Sequence, residues 1–346
     1  MTIMKRGLTA ACVVAASLAT TAASAQEVTV RVADSLPTGH YIAENMTKVW
    51  MDRVAELTDG KVDFEYYPAQ QLGKAKDLLS LTQTGVTDVG YVGISYVADQ
   101  LPLSTVGELP EAFSTSCKGT LAYWSLAKPG GTLDEVELKE NGVRMLFVLV
   151  LPPYQIFTKS QEITGASSFE GLKLRATGGT KELAVKKLGA VPVAISAPET
   201  REALSRGTID GVLFPASSIG PYDLTSMLSY ATKDMNFGSF IFSYMISQEK
   251  WDQLPKDVQK AMADAGDEVT KSACQVADKL DSSDKDAMAK QGVSFVALPE
   301  ADKAQIDDAL ATIGTEWASG LDGRGKPGTE VLKAFREALA NKGASD

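Results

Sequence analysis

The chain has 346 residues, of which 44% are hydrophobic, and a formal net charge of −10 at pH 7. This acidic balance argues against nucleic acid and anionic lipid as main partners, because both are negatively charged. With one histidine and three cysteines in the whole sequence, a zinc cluster is not expected, and neither is any other metal or cofactor.

The N-terminus has the pattern of a secretory signal peptide. Lys5-Arg6 precedes an apolar stretch from Leu8 to about Ala19, and Ala23-Ser24-Ala25 offers a small-residue cleavage site. The apolar stretch is shorter than the roughly 20 residues that a membrane-spanning helix needs. We therefore expect residues 1–25 to be removed and the mature protein, which begins at Gln26, to work in the periplasm.

Two cysteines, Cys117 and Cys274, remain after removal of the signal peptide. Disulfides form and persist in oxidising compartments such as the periplasm. A bridge between these two residues is one expectation, and a pair of buried thiols is the other. The sequence leaves the choice open.

Helices and strands alternate through the first half of the chain. Glycines end the predicted helices, and short apolar strands follow them, which is the βαβ order of a mostly parallel sheet. The predicted elements are a strand at 28–32, a helix at 42–57, a strand at 62–66, a helix at 72–84 and a strand at 88–92.

The second half of the chain continues this α/β pattern. The helix predicted at 255–290 would be roughly 50 Å long at 1.5 Å per residue, enough to lie across two lobes. The other elements are strands at 143–150, 172–175 and 191–195, and helices at 180–188, after Pro198 and at 329–339.

The length of the chain favours two lobes, because single cores rarely grow beyond about 250–300 residues. A dense apolar strand ends at Pro152-Pro153, where we place the passage between lobes. We expect the first lobe to comprise residues 26–150 plus about 240–280. The second lobe would then comprise residues 151–239 plus about 281–346.

Enzyme signatures are incomplete. Gly93-Ile94-Ser95-Tyr96-Val97 begins like a nucleophile elbow but lacks its last glycine, and no serine can be paired with His40 from sequence. Residues 323–328 match the G-x-G-x-x-G pattern, yet no predicted strand precedes them, so we interpret them as a surface turn. These motifs therefore give no support for an enzyme.

Several motifs in order resemble the DctP-type solute-binding proteins of TRAP transporters, over essentially the whole mature chain. The motifs are Tyr67 to Gly73 (YPAQQLG), Phe169 to Arg175 (FEGLKLR), Leu188 to Val193 (LGAVPV), Ala203 to Gly211 (ALSRGTIDG) and Trp251 to Pro255 (WDQLP). The ordered set is more specific than any one of them.

This resemblance implies a fold and a function. It implies a type II-like periplasmic-binding-protein architecture, with two α/β lobes joined by crossing strands and a long helix across both. The lobes would close on a small organic acid and deliver it to the small and large membrane subunits of a TRAP transporter, which use an ion gradient. We expect a monomer in solution.

Arg175 is the first candidate ligand residue. It ends an apolar strand, where a buried guanidinium is costly unless an anion pairs with it, and its planar fork matches a carboxylate. The resemblance assigns Arg175 the carboxylate grip of the family. The alternative from the residues alone is an internal salt bridge to Asp or Glu.

Two departures from the family pattern suggest the ligand class. Pro153-Tyr154-Gln155 stands where many relatives have glycine-aromatic-arginine, so a neutral amide replaces a second cation. Phe214 stands where asparagine is frequent. With one cation, Arg175, to bind a carboxylate and with Tyr154 and Phe214 to pack against the rest of the ligand, the site suggests a monocarboxylate with an apolar or aromatic body.

Ser95 and His40 complete the candidate set, because both follow first-lobe strands where open α/β sheets usually place ligands. A histidine in the cleft could make binding depend on pH near 6 to 7. The alternatives left open are a C4-dicarboxylate or sugar acid, which needs another cation, and a zwitterion held by Phe214, Tyr154 or Trp124. A periplasmic hydrolase on the same fold is a remote alternative.

Overall fold

The computed structural model describes residues 28–111 and 113–342. The predicted signal peptide at residues 1–25 lies outside the described residues. Two sheets, each covered by helices, form the α/β architecture that the sequence predicts. In the described part of the chain, no helix combines the length and the apolar character needed to span a membrane.

Eleven strands form the two sheets in the described residues. They are β1 (Val28–Ala33), β2 (Val62–Tyr67), β3 (Val89–Gly93), β4 (Val143–Val150), β5 (Gln155–Thr158), β6 (Lys173–Ala176), β7 (Val191–Ala194), β8 (Gly211–Phe214), β9 (Tyr230–Thr232), β10 (Ile241–Ser247) and β11 (Ser294–Val296). The strand order is β2-β1-β3-β10-β4 in the first sheet and β11-β9-β5-β8-β6-β7 in the second.

Parallel pairing places the carboxyl ends of several strands together in each sheet. β1 runs parallel to β2 and β3, while β10 is antiparallel to β3 and β4. β6 runs parallel to β7 and β8, while β5 is antiparallel to β8 and β9. In the described residues each sheet is therefore mixed, with one strand, β10 in the first sheet and β5 in the second, running antiparallel to its neighbours.

The helices are α1 (Lys48–Leu57), α2 (Leu78–Gln83), α3 (Ser116–Ala127), α4 (Thr180–Lys187), α5 (Thr200–Ser205), α6 (Gln248–Gln253), α7 (Lys256–Lys290), α8 (Glu300–Ala311), α9 (Ile313–Asp322) and α10 (Gly328–Lys342). The strand at 143–150 and the helices at 180–188, 255–290 and 329–339 are confirmed to within a few residues. The G-x-G-x-x-G segment lies in the turn between α9 and α10, as expected.

The predicted helix at 72–84 is too long by about half. Ala69 and Gln70 adopt left-handed backbone conformations, with φ of 52° and 64°, so turns occupy the segment before α2. The side-chain oxygen of Gln70 also accepts a hydrogen bond from the Ala75 amide at 3.0 Å. Local side-chain bonding of this kind competes with helix formation.

Two crossing segments join the lobes, as predicted. Residues 151–154 lead from β4 to β5, and residues 233–240 return from β9 to β10. The segments pair with each other: the Leu151 amide donates to the Phe240 carbonyl at 2.9 Å, and the Tyr154 amide to the Gly238 carbonyl at 2.8 Å. These two hydrogen bonds hold the crossing segments side by side.

The long helix α7 contacts both lobes. The Trp50 indole donates to the Met262 carbonyl at 3.2 Å on the first lobe, and Asp281 accepts from the Ala216 amide at 3.0 Å on the second. Gly266 lies inside this continuous helix, at a position where a Cβ would lie 2.1 Å from the Leu146 carbonyl oxygen of β4. The glycine therefore permits close packing of α7 on the first sheet.

A disulfide joins Cys117 of α3 to Cys274 of α7. The C-terminal helix α10 packs against α3, and its Phe335 ring lies 6.5 Å from that of Phe113, just before α3. The segment 328–342 thus contacts elements that surround the first sheet. The lobe boundaries given above stay a prediction.

Candidate functional site

The sequence-predicted residues lie where strand ends of the two sheets face each other. His40 and Ser95 follow β1 and β3 of the first sheet, while Arg175 lies in β6 and Phe214 ends β8 of the second. Tyr154 lies on the crossing segment just before β5. Ligands of α/β proteins usually bind beyond the carboxyl ends of the strands, so this cleft is the candidate site.

Arg175 is fully buried, with an exposed fraction of 0%. Its Nε donates to the Ile195 carbonyl at 2.9 Å and its Nη1 to the Leu213 carbonyl at 3.0 Å. Its Nη2 is buried and has no hydrogen-bond partner among the described residues. None of the ion pairs formed by residues 28–111 and 113–342 includes Arg175.

The two carbonyl bonds fix the plane of the Arg175 guanidinium. Phe214 supports it from one side, with the guanidinium carbon 4.0 Å from the ring centroid. A buried donor left without a partner costs about 1–3 kcal/mol, and more when the group is charged. The Nη2 group of Arg175 is therefore available to donate a hydrogen bond to an anion.

Aromatic rings enclose this guanidinium. Phe214 lies between Tyr154 and Tyr222, with centroid distances of 6.1 Å and 5.9 Å. Tyr96 packs against Phe240 at 5.2 Å. Burial raises the pKa of Tyr96, Tyr154 and Tyr222, so all three phenols stay neutral at physiological pH.

A second cation, Lys181 of α4, lies near these rings and was not predicted. Its Nζ is 5.7 Å from the Tyr154 centroid and is fully buried. Glu108, which is also fully buried, accepts from the Lys181 Nζ at 3.0 Å, and the Ser239 carbonyl accepts at 2.5 Å. Burial lowers the pKa of Lys181, while the Glu108 charge opposes that shift.

The pairing with Glu108 neutralises Lys181, so Arg175 is the uncompensated positive charge among these residues. The structure thus places two cations near these rings, where the sequence predicted one, and the carboxylate-binding role of Arg175 stays a prediction. The apolar positions of α4 could have revealed Lys181, because it shares a helix face with Ala184, Val185 and Leu188.

Ser95 and Gln155 each bond to protein groups. The Ser95 hydroxyl donates to Glu108 and so supports the buried ion pair. The Gln155 amide donates to the Met235 carbonyl at 2.5 Å and accepts from the Thr232 hydroxyl at 3.0 Å, both near the second crossing segment. Ligand contacts by these two residues stay predictions.

His40 is 2% exposed, and burial lowers its pKa to about 3. Its ring stacks on Tyr41 at 5.0 Å and lies 5.4 Å from the Tyr222 ring. Titration near pH 6 to 7, which we expected for a histidine reaching the cleft, does not occur in this environment. The reason is that a charged imidazole would be desolvated without a counter-ion.

This shift predicts a pH dependence of stability. Between pH 3 and 6.5 the unfolded chain binds a proton that folded His40 does not, so the free energy of unfolding falls as the pH drops. The slope approaches about 1.4 kcal/mol per pH unit below about pH 5.5, is half of that near pH 6.5, and vanishes above about pH 7.5. In urea unfolding between pH 4.5 and 7.5, the difference in stability between wild type and His40→Gln should follow this slope.

Comparison of the wild type with His40→Gln isolates the contribution of His40 to the pH dependence of stability. Asp34 and Glu137 have pKa values raised by burial, and they contribute a slope of opposite sign in both proteins. Parallel stability curves for wild type and His40→Gln would contradict the assignment.

A cavity of about 430 Å³ opens from the cleft between the lobes. Arg175 does not line it, but its neighbours Tyr96, Thr177 and Ile195 do. The Tyr96 hydroxyl accepts from the Ala197 amide at 2.9 Å, and the Tyr41 and Ser217 hydroxyls are 3.2 Å apart. These contacts join the lobes across the cleft, so the structure is a closed arrangement.

Trp124, which the sequence offered as a contact for a zwitterion, does not lie near Arg175 but beside α7. Its indole donates to Asp267 of α7 at 2.7 Å, and it lines a separate groove with Arg144 and Trp251. The described residues contain no group of three or more His, Cys, Asp or Glu side chains placed to hold a metal ion.

Residues 32–319 match the family model DctP, "Bacterial extracellular solute-binding protein, family 7". The C4-dicarboxylate-binding periplasmic protein DctP of Rhodobacter capsulatus is 25% identical over 296 residues, which cover 82% of this chain and 83% of that protein.

Two solved structures share the fold. A TRAP periplasmic solute binding protein from Bordetella bronchiseptica, with bound (R)- and (S)-mandelate, has a TM-score of 0.81 and 25% identity over 91% of this chain and 99% of that one. A TRAP solute binding protein from Rhodoferax ferrireducens, in complex with copurified benzoate, has a TM-score of 0.83 and 24% identity over 92% and 99%.

The family match spans most of the chain, and the two-lobed fold with its cleft agrees with these structures. Members of this family are periplasmic receptors for small organic acids and work with TRAP membrane components. The protein therefore belongs to the DctP family of TRAP solute-binding proteins, and it is a transport receptor rather than an enzyme.

Proposed function

We propose that this receptor captures a small monocarboxylate with an apolar or aromatic body. Arg175 grips the carboxylate, and Phe214, Tyr154 and Tyr222 enclose the body. The observation that carries the proposal is the buried Nη2 of Arg175, which has no partner among the described residues, in a guanidinium that packs on the Phe214 ring.

Charge balance favours one carboxylate over two. A buried anion needs a partner of opposite charge, and Arg175 supplies one uncompensated positive charge. The charge of Lys181 is already compensated by its ion pair with Glu108. The ligands named for the structures with TM-scores of 0.81 and 0.83, mandelate and benzoate, are also monocarboxylates with an aromatic ring.

A C4-dicarboxylate is the second candidate, because Lys181 lies 5.7 Å from the Tyr154 ring and a relative is named for C4-dicarboxylates. A second carboxylate would have to compete with Glu108 for the Lys181 ammonium. No contact among the described side chains around Arg175 favours a sugar acid or a zwitterion in the same way. Tyr154 and Phe214 do offer ring faces to the cationic group of a zwitterion.

The mechanism that we propose is hinge closure. An open form takes up the acid, Arg175 orients it, and the other lobe closes through contacts such as Tyr96 to Ala197. The closed form is then recognised by the small and large membrane subunits. Removal of residues 1–25, periplasmic release and a monomeric state belong to the same proposal.

A thermal-shift screen of residues 26–346 tests the ligand class. The panel contains benzoate, mandelate, butyrate, succinate, galacturonate and a betaine. A ligand at 100 times its dissociation constant adds about 2.7 kcal/mol of stability, which raises the melting temperature by a few degrees. We expect shifts with benzoate, mandelate or butyrate; shifts confined to succinate, galacturonate or the betaine would contradict the proposed class.

A further inference from the structure

His40 has one ring nitrogen in use and one without a partner. Its Nδ1 accepts a hydrogen bond from the Ile42 amide at 3.2 Å. Its Nε2 is buried and has no partner among the described residues. Since the backbone amide of Ile42 is always a donor, the bond fixes which nitrogen must accept.

The occupied Nδ1 determines the tautomer. In a neutral imidazole one nitrogen accepts and the other carries the hydrogen, so acceptance at Nδ1 places the hydrogen on Nε2. The low pKa of the buried ring keeps it neutral at physiological pH. His40 therefore presents a fixed N–H donor, and a buried donor without an acceptor is unfavourable.

His40 and Arg175 contact the same aromatic wall. The guanidinium lies on Phe214, the Phe214 ring stacks with Tyr222 at 5.9 Å, and the Tyr222 ring lies 5.4 Å from His40. Two buried donors, Arg175 Nη2 and His40 Nε2, thus flank the Phe214–Tyr222 pair. A ligand packed on this pair would meet one donor at its carboxylate and the other elsewhere on its body.

We propose that His40 determines specificity by donating from Nε2 to a second oxygen of the ligand, a hydroxyl or carbonyl group on the body of the monocarboxylate. This inference rests on the proposed function and names the ligand more narrowly. Sites built to hydrogen-bond a substrate oxygen discriminate strongly against analogues that lack it, because the buried protein group is then left without a partner.

The affinity test compares His40→Phe with the wild type by isothermal titration calorimetry. The phenylalanine ring retains the packing on Tyr41 and Tyr222 but removes the donor. Acids come in matched pairs: benzoate with the three hydroxybenzoates, and phenylacetate with mandelate. We expect His40→Phe to weaken binding of the preferred oxygenated acid about tenfold, and binding of its unsubstituted partner less than threefold.

The tautomer test needs no ligand. His40 is the single histidine of the chain, so histidine labelled with ¹⁵N in protein purified without a polyhistidine tag gives one pair of ring-nitrogen signals. Long-range ¹H–¹⁵N correlation in the free protein should show the Nε2–H tautomer. Addition of the preferred oxygenated acid should then shift the Nε2 signal more than the unsubstituted acid does.

Two outcomes would overturn the role of His40 alone: an Nδ1–H tautomer, or equal loss of affinity for both members of every pair that binds. If none of these acids binds the wild type, the proposed function and the ligand class named here both fail. If acids bind through Arg175 with the same preferences in His40→Phe, the proposed function stands and only the role of His40 is rejected.

Discussion

Replacement of Arg175 by alanine is expected to weaken binding of the preferred monocarboxylate about 100- to 1,000-fold. Loss of one partner from a buried, hydrogen-bonded charge pair costs about 2–5 kcal/mol. The remaining carboxylate would be buried among Phe214, Tyr154 and Tyr222 without a counter-charge. Isothermal titration calorimetry of wild type and variant measures the loss.

Two further variants sharpen this result. Arg175→Lys retains the charge but loses the planar fork and its bonds to the Ile195 and Leu213 carbonyls, so its affinity should lie between those of wild type and Arg175→Ala. Arg206→Ala is the matched control, because Arg206 is exposed and pairs with Glu202 on the surface of α5. Wild-type affinity in Arg175→Ala would contradict the assignment of the carboxylate grip.

Replacement of Glu108 by glutamine should lower the free energy of unfolding by about 3–5 kcal/mol, because the Lys181 ammonium would be buried without its counter-charge. Glu108 also accepts from the Ile241 amide at 3.1 Å and from Ser95, and the amide of glutamine only partly replaces these bonds. Urea unfolding of the purified variants measures the change.

The double variant Glu108→Gln/Lys181→Met separates the ion pair from general damage to the core. With the buried charge removed, we expect at least half of the lost stability to return, since buried pairs can often be replaced by apolar groups with little net cost. The exposed pair of Lys260 and Asp264 is the control, and breaking it should cost less than about 1 kcal/mol. Additive losses in the double variant would mean that the pair is not coupled.

Local patterns predicted the regular elements well. The strand at 143–150 is apolar except for Arg144, and the helix at 255–290 keeps one apolar face over many turns, so each signal is strong and independent of distant contacts. The helix predicted at 72–84 begins only at Leu78, because the left-handed residues Ala69 and Gln70 open a series of turns that the residue types do not indicate. Short second-sheet strands such as β9 and β11 carry too few residues for a periodic signal.

The candidate site was predictable only in part. Arg175, Tyr154 and Phe214 follow recognisable motifs, and the structure places Arg175 on Phe214. Glu108 and Lys181 are 73 residues apart, and their pairing depends on how the lobes meet. Tyr222 was not predicted for the same reason, because tertiary packing places it between Phe214 and His40.

The number of cysteines alone could not determine whether Cys117 and Cys274 form a disulfide. Two cysteines in a periplasmic chain permit a disulfide, but only the packing of α3 against α7 brings them together. The neutral state of His40 is a similar case, because burial rather than residue type moves its pKa away from 6.5.

The most direct test of the ligand assignment is a crystal structure of the mature protein with the acid that gives the largest thermal shift. We expect one carboxylate within about 2.7–3.1 Å of Arg175 Nη2, its body against Phe214 and Tyr222, and the Glu108–Lys181 pair intact. A ligand bound through Lys181 with Glu108 displaced, or one that leaves Arg175 Nη2 without an acceptor, would contradict the account.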